Sequence, residues 1–284
     1  MVKEAHILYG KEIAAKRLEK ISKELSELQR SGAQFCLTTI QAGQAHDTAL
    51  YSKAISNLLS KLQIRHNALS YSDKIQEKEL REEIFKINKD SKTTGVMLFA
   101  PLPSHITLDS VVRAVDIFKD VEGRRMGLSA KSKVMPPTAM AAVALFEETG
   151  IDATGKEVLI IGRSDVVGKP AALMMLEKNA TVTIAHSKTI NLKAHIERAD
   201  ILIVSVGKPG IVKGGWIKPG SVVIDVGENM VDGKLVGDVE FEEAKERASY
   251  ISPVPGGVGP VTNVMLVQNL ISLYKLQVMH HGNS

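Results

Sequence analysis

The run Val158-Leu-Ile-Ile-Gly-Arg-Ser-Asp-Val-Val-Gly-Lys-Pro leaves this chain few folds to choose from. A short, apolar, β-branched segment breaks at Gly162, and Ala171-Ala-Leu-Met-Met-Leu-Glu-Lys then reads as a helix. Strand, glycine turn and helix open a nucleotide-binding βαβ unit, in which backbone N–H groups and the helix N-terminus face a phosphate. The G-x-G-x-x-G fingerprint is met only in part. Gly162 and Gly168 are present, Ser164 stands at the second glycine, and the last glycine comes one residue late. Taken alone the motif is weak, so its surroundings decide its meaning.

Those surroundings are consistent. Three more apolar strands follow, at Thr181 to Ala185, Ile201 to Val206 and Ser221 to Val226, and they alternate with helices from Lys169, over Leu192 to Arg198, and over Phe241 to Ala248. This order predicts a doubly wound parallel sheet. The first half also alternates. An amphipathic helix spans Gly10 to Arg30, with Ile13, Leu18, Ile21, Leu25 and Leu28 on one stripe, before a strand at Phe35 to Gln41. A helix over Thr48 to Leu62 aligns Tyr51, Ile55, Leu59 and Leu62; a strand over Ile64 to Tyr71, a helix over Glu77 to Asn88 and a strand over Gly95 to Phe99 come next. Pro101 ends that last strand, and Leu108 to Phe118 reads as helix. The expected architecture is α/β in two lobes. The polar, turn-rich segment Lys119 to Pro137, with Gly123 and Gly127, places the boundary so that residues 1–122 form one lobe and 123–284 the other. A last apolar helix opening at Thr262, about 263–277, is expected to pack back on the first lobe, with the final His280-His-Gly-Asn-Ser as a frayed tail.

Composition excludes several classes. Aromatics make up 4% of the 284 residues and the net charge of +4 is scattered, which disfavours a nucleic-acid surface. Cys36 is the only cysteine, so neither an internal disulfide nor a cysteine metal cluster is expected. His6, His46, His66, His105 and His195 lack ligand spacing, and no metal is expected. No stretch approaches the roughly 18 apolar residues of a membrane span, and the N-terminus has no signal-peptide core, so a cytoplasmic protein is expected.

In a doubly wound sheet the ligand lies beyond the carboxyl ends of the strands, which here carry Gly162-Arg-Ser, His186-Ser187, Gly207 and Gly227. NAD recognition wants a carboxylate at the end of the second strand, about 20 residues past the first glycine. Ala185-His-Ser-Lys offers none. Arg163 and Ser187 suit a ribose 2′-phosphate, which favours NADP over NAD; otherwise they are solvated loop residues. His186 either approaches the cofactor or serves the strand end.

The same residues carry a resemblance. Gly162-Arg-Ser-x-x-Val-Gly-x-Pro, closed by Val167 and Gly168, resembles the signature of the methylenetetrahydrofolate dehydrogenase/cyclohydrolase (FolD) family. So do Ala180-Thr-Val-Thr-x-x-His-Ser-x-Thr, Gly215-x-Trp-Ile-Lys-Pro-Gly and Pro253-Val-Pro-Gly-Gly-Val-Gly-Pro-x-Thr. The first half is similar in outline, including Pro101-Leu-Pro and Lys119-Asp-Val-x-Gly. The resemblance implies two α/β lobes with a cleft between them, a homodimer, NADP as cofactor, and a folate substrate. It also implies oxidation of 5,10-methylenetetrahydrofolate by hydride transfer, then hydrolysis of the methenyl product. It assigns folate contacts to Tyr51, Glu122, Pro101, Pro255, Gly256, Gly257, Val258 and Thr262.

Four positions depart from the family pattern. The lysine four residues after the tyrosine is Ile55, the glutamine before Leu-Pro is Phe99, the second aspartate of Lys-Asp-Val-Asp-Gly is Glu122, and Pro-Cys-Thr-Pro reads Pro136-Pro-Thr-Ala. Residues four apart share a helix face and residues two apart do not, so Lys53 cannot replace the missing lysine. Hydride transfer needs proximity and orientation rather than a protein base. Hydrolysis needs protons moved. The expectation is therefore an NADP-dependent dehydrogenase with cyclohydrolase activity weak or lost. The alternatives are a non-catalytic relative that binds dinucleotide, a dehydrogenase for another one-carbon carrier, and a bifunctional enzyme with a different proton shuttle. Phe99 either stacks on the pterin or fills the space left by lysine and glutamine.

Overall fold

The computed structural model describes residues 4–43, 46–125 and 134–281, without the side chains of 46–50 and 281. Gly127 of the expected boundary and residues 282–284 of the expected tail lie outside the described residues. In chain order the strands are β1 (His6–Ile7), β2 (Cys36–Ala42), β3 (Arg65–Tyr71), β4 (Gly95–Leu98), β5 (Glu157–Ile161) and β6 (Thr181–Ala185). Then follow β7 (Ile201–Val204), β8 (Val222–Asp225), β9 (Asn229–Val231), β10 (Lys234–Val236) and β11 (Tyr250–Ile251). The helices are α1 (Gly10–Arg30), α2 (His46–Lys61), α3 (Glu77–Lys89), α4 (Leu108–Ala114) and α5 (Pro137–Glu147). They continue with α6 (Gly168–Glu177), α7 (Leu192–Arg198), α8 (Phe241–Ala244) and α9 (Val258–His281).

Described residues divide into two compact units, one holding 4–18 and 136–265, the other 19–125, 134–135 and 266–281. A single cut at 122/123 therefore follows neither unit. The chain's first residues belong with the later sheet because β1 pairs with β11 there, His6 opposite Tyr250.

The first of these units is built on a six-stranded sheet of order β1-β11-β8-β7-β5-β6, with every pairing parallel. The order reverses at β5, so the chain winds outward to β6 on one side and to β7 and β8 on the other. Central strands buried on both faces need apolar runs, and Ile201–Val204 and the first three residues of Val222–Asp225 supply them. A core of Leu159, Ile161, Leu202, Val204, Val223 and Ile251 lies against α7 and α8, with Trp216 packed at its margin. An antiparallel hairpin of β9 and β10 stands apart from the sheet.

The other unit has three parallel strands in the order β3-β2-β4. Ile40, Leu98, Leu80, Ile84 and Val111 pack its core beneath α3 and α4. α4 stops at Ala114 rather than at Phe118, because the Asn88 side chain donates to the Ala114 carbonyl at 2.8 Å and accepts the Asp116 N–H at 2.9 Å. α8 is likewise shorter than its charged pattern implies. α9 opens at Val258 rather than Thr262; Pro260 is tolerated in a first turn, where backbone N–H groups have no helical partner. The helix also continues through His281, with His280 stacked on Phe118 at 4.8 Å, so the expected fraying does not begin at His280.

Candidate functional site

On α2, Ile55 is 1% exposed among the largest buried side chains, whereas Lys53, two residues back, is exposed. The helical phase thus keeps the Lys53 ammonium off the face that Tyr51 and Ile55 share. Phe99, just past β4, is buried and meets Tyr51 edge-on, ring centroids 6.0 Å apart and planes at 83°. Phe99 therefore fills space against Tyr51. Burial, and secondarily the Glu122 charge, push the Tyr51 phenol up to about 12, so it stays protonated at neutral pH.

Glu122 is held tightly. One oxygen accepts the Leu98 N–H at 3.2 Å and the other accepts from the Arg124 guanidinium at 2.9 Å. Burial raises its carboxyl pKa, with Arg124 and the Leu98 N–H acting against the rise. Arg124 Nε is buried with no partner among the described residues. The sequence offered no signal for Arg124 beyond its position two residues after Glu122. Asp120 organises the turn, accepting the Arg125 N–H. Lys119 is buried and donates to the carbonyls of Ile87 at 3.2 Å and Asp90 at 2.7 Å at the end of α3, so its ammonium is spent structurally. Pro101 lines a different feature of the same unit. This is a cavity of about 780 Å³ at the carboxyl ends of β2 and β3, shared with Gly43, Tyr71, Asp73 and His105.

The glycine turn after β5 leaves no room for side chains. A Cβ on Gly162 (φ +124°) would lie 2.5 Å from the Ser205 carbonyl oxygen, and one on Gly168 would lie 2.2 Å from the Gly162 oxygen. Ser164, at the second-glycine position, braces the turn. Its hydroxyl accepts the Val167 N–H at 3.1 Å and its carbonyl accepts the Lys169 N–H at 3.1 Å. Val167 is buried behind it, while Arg163 and, at the end of β6, Ser187 are exposed. His186 serves its own turn, its N–H donating to Thr189 Oγ1 and its Nδ1 accepting the Lys188 N–H at 3.2 Å. A close-packed glycine turn running into a helix, flanked by an exposed guanidinium and hydroxyl, fits a dinucleotide bearing an extra phosphate.

Beyond β7 and β8 the structure shows residues that sequence pattern did not single out. The Asp238 carboxylate, 0% exposed, accepts the N–H groups of Val206 at 2.7 Å, Gly207 at 3.0 Å and Lys208 at 2.7 Å. Asp225 accepts those of Gly227, Asp238 and Val239. The Gly207 N–H is thus spent on Asp238 rather than free for a ligand. Gly227 makes room for Asp238, whose Cγ would lie 2.1 Å from a Cβ there. Gly227 and Gly237, each next to or near an aspartate, were the available signal.

In the Pro253-to-Thr262 run, Pro255 and Gly256 are exposed, Gly257 and Val258 are buried, and the Gly256 carbonyl accepts the Gly10 N–H at 2.8 Å. The Thr262 hydroxyl donates to the Val258 carbonyl at 3.3 Å, within its own helix. No group of three or more potential metal ligands occurs among the described residues.

Two family matches cover most of the chain. Residues 8–122 match the tetrahydrofolate dehydrogenase/cyclohydrolase catalytic domain and residues 136–278 its NAD(P)-binding domain. The chain belongs to this family. A bifunctional FolD protein of Acetivibrio thermocellus is 41% identical over 280 residues, spanning 96% of this chain and 98% of its own. The crystal structure of the bifunctional FolD enzyme of Campylobacter jejuni superposes with a TM-score of 0.90 at 34% identity, covering 96% of this chain and 99% of its own. A Trypanosoma brucei FolD, solved with NADP and an inhibitor, gives 0.91 at 31% identity over 97% and 99%. The two-domain α/β fold, with an N-terminal catalytic domain and a C-terminal Rossmann-type domain, is that of the FolD family.

Proposed function

We propose that this FolD-family chain is an NADP-dependent 5,10-methylenetetrahydrofolate dehydrogenase in which methenyl hydrolysis is weak or absent. The observation that carries the proposal is the burial of Ile55 on the Tyr51 face of α2, where the family pattern has lysine. Bound NADP supplies the hydride acceptor. The glycine turn at 162–168 seats the phosphates by backbone, and Arg163 with Ser187 selects the 2′-phosphate. Tyr51, backed by Phe99, and Glu122 orient the folate, with Tyr51 a hydrogen-bond donor at neutral pH.

Among the described residues beside Tyr51, none is a ready proton shuttle for hydrolysis. Arg124 is permanently protonated, Tyr51 is too weak an acid, and both Glu122 oxygens already accept hydrogen bonds. Losing a positioned proton-transfer group typically costs about 10²–10⁴-fold. Methylenetetrahydrofolate with NADP should therefore accumulate methenyl product that decays near the buffer rate, and with NAD should react more slowly. No methenyl absorbance with either nucleotide overturns the dehydrogenase reading. Decay well above the buffer rate overturns the hydrolytic half. Ile55→Lys should raise that decay, at a stability cost from burying an ammonium.

The active form is proposed to be a homodimer. β6 is an open edge of the six-stranded sheet, and Ile184 and Ile190, 39% and 87% exposed, lie on and just beyond it.

A further inference from the structure

Three consecutive backbone N–H groups converging on one buried carboxylate form an anion nest filled from within the chain. Asp238 fills it, closing the 206–208 loop that follows β7. Its Oδ1 also accepts from the Asn229 side chain at 2.9 Å, which fastens the loop after β8 to the same carboxylate. Asp225, at the end of β8, accepts the N–H groups of Asp238 and Val239 and so aims Asp238. Glycines at 227 and 237 clear the space: a Cβ on Gly237 would lie 2.0 Å from Asp225 Oδ2. Two strand-end loops are thus locked to each other by an acidic pair that backbone and side-chain amides hold in place.

The sheet order says which part of a ligand this lock concerns. Arg163 and Ser187 follow β5 and β6, whereas the locked loops follow β7 and β8, across the reversal at β5. A dinucleotide straddles such a reversal, so the half bearing the 2′-phosphate lies on the β6 side and the nicotinamide half on the β7–β8 side.

We propose that Asp238, aimed by Asp225, is a positioning residue that shapes the wall for the nicotinamide half of the dinucleotide and leaves the adenosine half untouched. The proposal rests on reading this lobe as the NADP site. Calorimetric titration of the full-length protein with NADP and, separately, with 2′,5′-ADP tests it, since the fragment lacks the nicotinamide half. In Asp238→Asn the amide NH2 replaces an acceptor facing backbone donors. NADP affinity should fall about tenfold, the scale of one lost charge-assisted hydrogen bond, while 2′,5′-ADP affinity stays within about twofold. Equal losses for both ligands mean general damage and overturn the proposal, as does no loss for either. If Asp238→Asn does not melt cooperatively, Asn229→Ala is read in the same way, with a smaller NADP-selective loss expected and either equal losses or none overturning the proposal. Wild-type protein binding neither ligand overturns the dinucleotide reading itself, and the proposal with it. That result is distinct from a variant that weakens both.

Discussion

Burial turns single side chains in this protein into commitments that their sequence positions do not announce. Asp225 shows this most clearly. Desolvation drives its carboxyl from 3.8 up to about 7, despite three backbone N–H bonds that favour the ionised form, and the Asp238 charge adds to the rise. Between about pH 4 and pH 7 the folded chain keeps a proton here that the unfolded chain releases. Stability from this group is therefore present in acid, declines as pH rises through that window, and is flat above it. Asp225→Asn should remove that part of the slope, about 1.4 kcal/mol for each pH step of one across the window, when urea midpoints are followed from pH 4.5 to 8. A variant as pH-dependent as the wild type would show that the proton sits elsewhere. At the same scale, Ile55 was legible from the sequence because four-residue spacing fixes a helix face. The Glu122–Arg124 pairing was not, since two residues in a turn face each other only when the backbone there is known.

Among the elements, α9 shows best how a pattern can mislead about an element's extent. Its run of apolar residues goes nearly all the way round, which signals a buried helix but gives no N-terminus. The second half is held by named contacts: Asn269 Nδ2 donates to the carbonyls of Val121 at 2.9 Å and Met135 at 2.8 Å. Gln277 Nε2 donates to those of Thr94 at 2.8 Å and Phe118 at 2.6 Å. Asn269→Leu would leave two buried carbonyls without donors, at about 1–3 kcal/mol each. A melting temperature lower by several degrees is expected, and an unchanged one would deny α9 this role. The central strands β5, β7 and β8 of the six-stranded sheet were readable because doubly buried strands are largely apolar. The two-residue strands β1 and β11 were not, because two residues carry no period.

For the whole molecule, the testable consequence concerns the open β6 edge. If copies of the chain meet there, Ile184→Lys should convert a dimer to a monomer in sedimentation at micromolar concentration, with the isolated chain still melting cooperatively. A wild-type monomer, or a variant that stays dimeric, would remove β6 from the interface. No helix among the described residues is long and apolar enough to cross a membrane. Local pattern was enough to give the α/β class, the nucleotide turn, the Rossmann half and the face of α2 that Tyr51 and Ile55 share. Each of these rests on spacing along a few neighbouring residues, where backbone geometry is set by the chain itself. Pattern could not say that residues 4–18 join the later sheet, that Arg124 faces Glu122, or that Asp225 and Asp238 lock two loops. Those depend on which distant segments share a desolvated space, and a buried carboxylate finds its donors only once the tertiary fold has brought them to it.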